Sequence, residues 1–293
     1  MSAAPNLAPL TPQARLARDL RASANLLTRA EARYLVDIYY TMQDYRIRAG
    51  NQKRASTEDG EPHALVGWAF DSFETMENQI KGALGNYAKA STPGRWVLSI
   101  HGCGPVIAAG MLAHIDIEKA KTAGAIWRFA GLDPTSKWEK KTKRPWNAKL
   151  KRLCWIVGGS FVRCRASDKD IYGAVYEKRK AYEVERNESG GNAETAARAL
   201  VEKNYSESET KKAYEAGKLP DGRIDLRARR YATKLFLAHL HEVMYFDRFG
   251  ERPPRPYVIE HLGHVHEFGA PNAEQVPGLY EAQRAANVQS VRD

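Results

Sequence analysis

Little in this sequence suits a β-sheet. β-branched residues in alternation with polar ones are scarce throughout, which argues against a sandwich or barrel. Cysteine is scarce too. There are 3, Cys103, Cys154 and Cys164, with no CxxC pair, and each lies in an apolar run. That excludes a disulfide framework or a cysteine zinc site, and the three are expected to be small buried thiols of a reduced compartment. No apolar stretch approaches the length of a membrane span. The opening "MSAAPNLAPLTPQARLARDL" has no apolar core long enough for a signal peptide. The expectation is a cytoplasmic protein with no membrane partner.

What remains is helical periodicity. Thr28 and Glu31 have the spacing of a capping box, and Leu35, Ile38, Tyr39 and Met42 then fall on one helical face. The stretch "AGNQKRASTEDGEP" reads as a polar loop, and Pro62 suits a first helical turn. Leu65, Ala69, Phe73, Met76, Ile80 and Leu84 continue a second stripe. The two segments predict an antiparallel helical hairpin, which can serve a homo-oligomer or fold back on its own domain. A third stripe is Leu150, Leu153, Cys154, Val157, Phe161 and Cys164, interrupted by Gly158 and Gly159 where another helix could approach. Ser167 is placed to cap the next helix, through Ile171, Val175, Arg179 and Tyr182. Two short surface helices follow, the second closed by Gly217 and Pro220, and the last strong helix runs from near Asp225 to Gly250. The fold class expected is all-α. The organisation expected is a loose segment 1–25, a helical hairpin 26–90, a helical domain 91–250 with an insertion at 187–222, and a tail 251–293.

The stretch "LSIHGCGPVIAAGML" stands out within that domain. "TPGRWVLSI" predicts a short helix with Thr92 as its cap, "HGCG" a turn, and Pro105 the start of a second helix. Helix, glycine turn and helix over 93–115 is the layout of a helix-hairpin-helix unit. Glycine takes positive φ without steric cost, and amides at the start of the second helix, aided by its dipole, suit a phosphate. A plain helical corner with glycines for packing uses the same residues. The neighbourhood favours the phosphate. Lys137, Lys140, Lys141, Lys143, Arg144, Lys149, Lys151 and Arg152 face one acid, Glu139, so eight cations less one anion supply +7 of the chain's +10. Trp138 and Trp146 are interleaved and can stack on a base or sugar. A second basic run, Arg223, Arg227, Arg229, Arg230 and Lys234, heads the last helix. Charge so concentrated points to a polyanion. The DNA-contacting residues expected are Gly102, Gly104, the eight cations of 137–152, and Arg227, Arg229 and Arg230.

The order of phrases is also familiar. "LSIHGCGPVIAAGMLAHI" is followed by "DIEKAKTAGAIWRFAGLDPTS", then "KRPWNAKLKRLCWIVGGSF", "DIYGAVYEKRKAY" and "RARRYATKLFLAHLHEVMY". This resembles the C-terminal domain of the insertion-sequence transposases that include bridge-RNA-guided recombinases, well over Pro93 to Phe161 and less well beyond. The "FAGLDP" phrase behind the glycine turn makes the resemblance specific. It implies DNA as partner, duplex or branched, and a guide RNA as a further one. It also implies DNA recombination in transposition of a mobile element. In that family a RuvC-like nuclease domain supplies metal-binding carboxylates. The residues before the match read as helices, so that half is expected to be absent, and no cofactor is expected unless a nuclease partner brings a divalent metal in trans.

The family's other catalytic element is a serine behind the "GLxP" phrase. Here the interval holds Ser136, beside Thr135, with Asp133 and Glu139 as the nearest candidate bases. An unactivated serine is a poor nucleophile, and a turn or cap is the commoner role. His261, His264 and His266 stand between Glu260 and Glu267, but their spacing fits no zinc site. His239 and His241 read as surface residues of the last helix. His101 could reach a phosphate or pack in the turn. The tyrosines of Tyr172–Tyr182 read as core or interface residues. The leading expectation is a DNA-binding relative of a transposase C-terminal domain. The alternatives are a serine recombinase component acting through Ser136, with carboxylates in trans, and a helical scaffold or inhibitor binding RNA or protein.

Overall fold

The computed structural model describes residues 15–58, 60, 63–254 and 269–280. Among them are eleven α-helices and no strand, so the chain is all-α. The chain divides into two compact units: residues 1–94 with 104–114, and residues 95–103 with 115–293.

The first unit holds α1 (Arg18–Ala22), α2 (Arg29–Glu58), α3 (Ala64–Lys89) and α5 (Pro105–His114). Thr28 and Glu31 form the expected capping box: the Thr28 amide donates to Glu31 Oε2 at 2.8 Å and the Glu31 amide donates to Thr28 Oγ1 at 3.3 Å. α2 and α3 pair as the hairpin, and α5 packs on both. α5 is apolar all round, and every residue from Val106 to Met111 is buried, as such a helix requires. The Arg33 guanidinium donates to the Ala113 carbonyl at 2.8 Å and closes its C-terminal end.

The hairpin departs from expectation in three places. α2 continues through Ala49–Glu58, where a polar loop was expected. Gln, Lys, Arg and Ala are good helix formers, and polarity there removes a core, not the helix. Of the expected α3 stripe, Leu84 is buried and Ala69, Phe73 and Ile80 are half-buried, but Leu65 is 61% exposed and Met76 is exposed as well, and Ser72, Glu77 and Ala88 are buried beside Leu84. Glu77 is held by an ion pair with Arg46 and by Gln43 Nε2, which donates at 3.1 Å. Burial would raise the Glu77 carboxyl, but hydrogen bonds from Arg46 and Gln43 outweigh it and the pKa is lowered. Residues 18–25 of the segment expected to be loose are helical, in α1 and a 3-10 turn that ends at Leu26. The first dozen residues and Pro62 lie outside the described residues.

α4 (Thr92–Ser99) opens with Ser91 Oγ accepting from the Gly94 amide at 3.3 Å, so Ser91 takes the capping role expected of Thr92. Gly94 itself has no room for a side chain. A Cβ there would lie 1.9 Å from the Ala88 carbonyl oxygen.

The second unit is built on α11 (Asp221–Phe249), against which α6 (Ala123–Phe129), α7 (Ala148–Cys164) and α8 (Tyr172–Glu188) pack. Trp96 of α4 stacks on Phe236 at 5.9 Å between ring centroids, and Phe161 on Tyr172 at 4.8 Å. Gly158 is where α7 and α11 meet: a Cβ would stand 2.6 Å from Thr233 Oγ1. Gly159 has no such neighbour, so only one of the two expected contact glycines serves that purpose. The histidines expected at the surface are interior. His239 is 5% exposed and His241 2% exposed. Their polar ends are satisfied, which is what makes burial tolerable. His239 Nδ1 shares a 2.8 Å hydrogen bond with the Tyr172 hydroxyl, and His241 Nε2 donates to the Ala120 carbonyl at 2.8 Å.

Ser167 does not cap α8. Its Oγ accepts from Lys169 within the preceding turn at 3.4 Å, and α8 starts without a side-chain cap. The segment 187–222 is ordered. It carries α9 (Ala193–Glu202) and α10 (Glu209–Glu215), which share a small core of Ala196, Tyr214, Leu219 and Ile224. Asn187 ties it back, donating to the Leu219 carbonyl at 3.0 Å and accepting from the Leu219 amide at 2.8 Å. Part of the expected tail also docks. The Trp96 indole donates to the Pro271 carbonyl at 2.6 Å, and Asn272 donates to the Ser99 carbonyl at 3.0 Å. Residues 255–268, with His261, His264 and His266, lie outside the described residues.

Candidate nucleic-acid interface

The basic run begins in the loop between α6 and α7 and ends on the first turns of α7. Two tryptophans shape the loop. The Trp138 indole donates to the Thr142 carbonyl at 2.9 Å, and the Arg144 guanidinium lies 5.0 Å from its ring centroid. Lys151 Nζ lies 4.2 Å from the ring centroid of Trp146. The α7 N-terminus is capped by Asn147, whose side chain accepts from the Lys149 and Leu150 amides at 3.0 Å each. Lys137, Lys140, Lys141, Lys143, Arg144, Lys149 and Arg152 are exposed, and Lys151 is half-buried.

The second basic run comes to meet the first. The Lys151 pKa is lowered, first by burial and then by the charges of Arg230 and Arg144. Arg230 is lowered by burial and then by Arg223 and Arg227. Lys234 is lowered by burial and by Arg230, with Asp133 acting in the opposite sense. Like charges that depress one another are close in space. α11 thus adds Arg230 and Lys234 to the field of Arg144 and Lys151. Lys234 Nζ also lies 4.2 Å from the ring centroid of Trp127, and the Trp127 indole donates to the Lys234 carbonyl at 2.9 Å. Arg144, Lys151 and Lys234 thus each sit over a tryptophan, an arrangement that holds a flexible cation in place. Trp127 was not singled out by the sequence, because nothing local marks it as a neighbour of Lys234.

Two arginines expected at the interface are used inside the unit. Arg227 donates to Asn192 Oδ1 at 2.7 Å and pairs with Glu183 at 3.2 Å. Arg229 pairs with Asp225 at 2.7 Å. The charge run could not reveal the partners of Arg227 on α8 and in the 187–222 segment, whereas Asp225 stands one turn before Arg229 on the same helix.

Gly102 is likewise taken up by packing. It has φ 88, its carbonyl accepts from Ser160 Oγ at 2.7 Å, and a Cβ would meet Ser160 Oγ at 3.2 Å and Cys164 Sγ at 3.4 Å. At Gly104 a Cβ would meet nothing within 4 Å. His101, Gly102, Lys169 and Asn272 line a small cleft beside the turn.

Around Ser136 the hydrogen bonds run elsewhere. The Ser136 amide donates to the Asp133 carbonyl at 3.3 Å. The Asp133 carboxylate accepts from the Thr135 amide at 2.9 Å and from Thr135 Oγ1 at 2.7 Å. Those two bonds, the backbone one first, lower its pKa. Asp133 is therefore committed to Thr135 and to the turn. Among the described residues no group of three His, Cys, Asp or Glu side chains could hold a metal ion. Burial pushes the Cys103 thiol up and the Cys154 thiol up to about 12. Tyr172 is fully buried and its hydroxyl pKa is raised by that burial, which suits a core residue and not a nucleophile.

The outer face of α7 adds Trp155 and Arg163, which neither the charge run nor the apolar stripe marks, to Arg152 and Gly159. Arg152, Trp155, Gly159 and Arg163 share it at helical spacing. Trp155 is 67% exposed. A Cβ at Gly159 would meet only the Arg163 guanidinium, 3.4 Å away. A glycine inside a helix costs about 1 kcal/mol relative to alanine, and here no packing of the chain accounts for it. An exposed tryptophan within an otherwise amphipathic stripe is the signal that could have found this face.

Residues 94–172 match the model of the transposase IS116/IS110/IS902 family. The matched stretch spans the glycine turn, the basic loop, all of α7 and the first residue of α8. No curated protein and no solved structure matches the chain. No described helix is long and apolar enough to cross a membrane.

Proposed function

We propose that this chain binds DNA as a transposase-related protein, gripping the phosphate backbone with the basic face of α7, its preceding loop and α11. One observation carries the reading. Two basic runs far apart in sequence share one field: beyond burial, Arg230 and Arg144 lower the Lys151 pKa and Arg230 lowers that of Lys234, while Arg144, Lys151 and Lys234 each sit over a tryptophan. A fold does not gather like charges at a small stability cost unless a counter-charge relieves them. Phosphate is the match for such a surface, and contacts of this kind position a strand without reading its sequence. The start of α5 at Gly104 and Pro105 is a lesser, separate contact in this reading, since a helix N-terminus favours an anion. The transposase match over residues 94–172 points to the same ligand.

A salt titration of binding to duplex and four-way-junction DNA tests the proposal. Each phosphate contact contributes about 0.9 to the slope of log K against log salt on duplex DNA. Changing Lys140, Lys141, Lys143 and Arg144 together to Gln is expected to flatten that slope by roughly 2 to 4. An unchanged slope in a folded variant would sink the reading. Gly104→Val is expected to weaken binding in a folded protein, because nothing stands where its side chain would go. Self-association through the hairpin is a separate proposal, resting on the exposed Tyr34, Leu65, Trp68 and Met76, and sedimentation tests it.

A further inference from the structure

We infer that the outer face of α7 is a stacking slot for one unpaired DNA base, formed by Trp155, the bare backbone at Gly159 and the Arg163 guanidinium. The inference rests on the DNA-binding reading above and names the class of DNA the site prefers: strands with an unstacked nucleotide. Trp155 is a large aromatic with 67% of its surface open. It lies one helical turn from Lys151 and three residues from Arg152, so its edge borders the basic field. Gly159 is the next residue along the same ridge. The single atom within 4 Å of its absent Cβ is Nη1 of Arg163, at 3.4 Å. The ridge therefore has no side chain at Gly159, between Trp155 one turn before it and Arg163 one turn after it, and the end of the flexible Arg163 side chain lies over the bare position. The indole and the guanidinium are both planar and both stack on nucleobases, whichever base is offered. An intact duplex keeps its base faces covered and cannot use the slot. A gap, bulge or single strand can. Gly158, one residue earlier, is explained by its contact with Thr233; at Gly159 only the movable end of Arg163 stands where a base would enter.

The test uses the full chain and three fluorescein-labelled DNAs of equal length: a duplex, the same duplex with one bulged base, and the single strand. Anisotropy gives the affinities. Trp155→Ala is expected to weaken binding of the bulged and single-stranded DNAs about tenfold, leaving duplex binding within twofold. Gly159→Ala is the sharper variant. It is expected to raise the melting temperature, because alanine is the better helix residue, while weakening the same two DNAs. Equal affinities of wild type and both variants for bulged DNA, with duplex binding intact, overturn the slot and leave the DNA-binding reading standing. Loss of duplex and bulged binding alike in Trp155→Ala overturns it too. A wild-type chain that binds none of the three overturns both readings. A shift of sedimentation on Trp155→Ala, with DNA binding unchanged, reassigns the face to a second copy of the chain.

Discussion

Arg227 and Lys143 carry the same charge and are expected to respond in opposite ways to removal. Arg227 bridges Asn192 and the buried Glu183, so Arg227→Ala should lower stability by about 2 kcal/mol and leave duplex affinity within twofold. Lys143→Gln should do the reverse. Chemical denaturation and a binding titration on the two variants decide this. His241 gives a pH dependence. Burial lowers its pKa from the usual 6.5, against the Ala120 hydrogen bond and Glu242, which raise it. The unfolded chain then binds the proton more readily than the folded one. Stability from this residue is complete above the unfolded pKa and is lost as pH falls through the window beneath it. The melting temperature is expected to drop between pH 7 and 5, and His241→Gln should flatten that drop. Both residues show what a single sequence leaves hidden. Their neighbours lie far along the chain, and a hydrogen bond to a distant carbonyl has no periodicity.

Helices were legible where one face is apolar and the other is not. The α7 stripe of Leu150, Leu153, Cys154, Val157 and Phe161 is buried as its spacing requires, and α11 ends at Gly250 in the left-handed conformation that glycine favours. The capping box at Thr28 and Glu31 marks the true start of α2. Legibility failed where propensity acted without burial. The last turns of α2, from Ala49 to Glu58, have no apolar stripe in sequence and so resemble a loop. Beyond Lys53 over the Phe70 ring they have little tertiary support, so their amides should exchange with deuterium at least about tenfold faster than those from Val36 to Tyr40. Equal protection would mean that something outside the chain covers them. The interface was legible in charge and not in shape. Eight cations within residues 137–152 point to a polyanion, but the meeting of α7 with α11, and the absent side chain at Gly159, needed the fold.

On the scale of the molecule, the net charge of +10 is not spread evenly, and the expected consequence is directional. A DNA rod should be captured by one face, with an association rate that falls steeply as salt rises. Stopped-flow mixing at two ionic strengths measures it, and a salt-independent rate would count against a focused field. The chain also passes between the two units after Gly94, after Cys103 and after His114. The family match begins at that first crossing and carries α5, which completes the interior of the other unit. Neither unit is an uninterrupted length of chain. A gene break or a protease cut at residue 94 would leave the α2–α3 hairpin without its third helix. Whatever rearranges such sequences over time must move this block with its loan to the neighbouring unit intact, or rebuild that neighbour's interior from other residues.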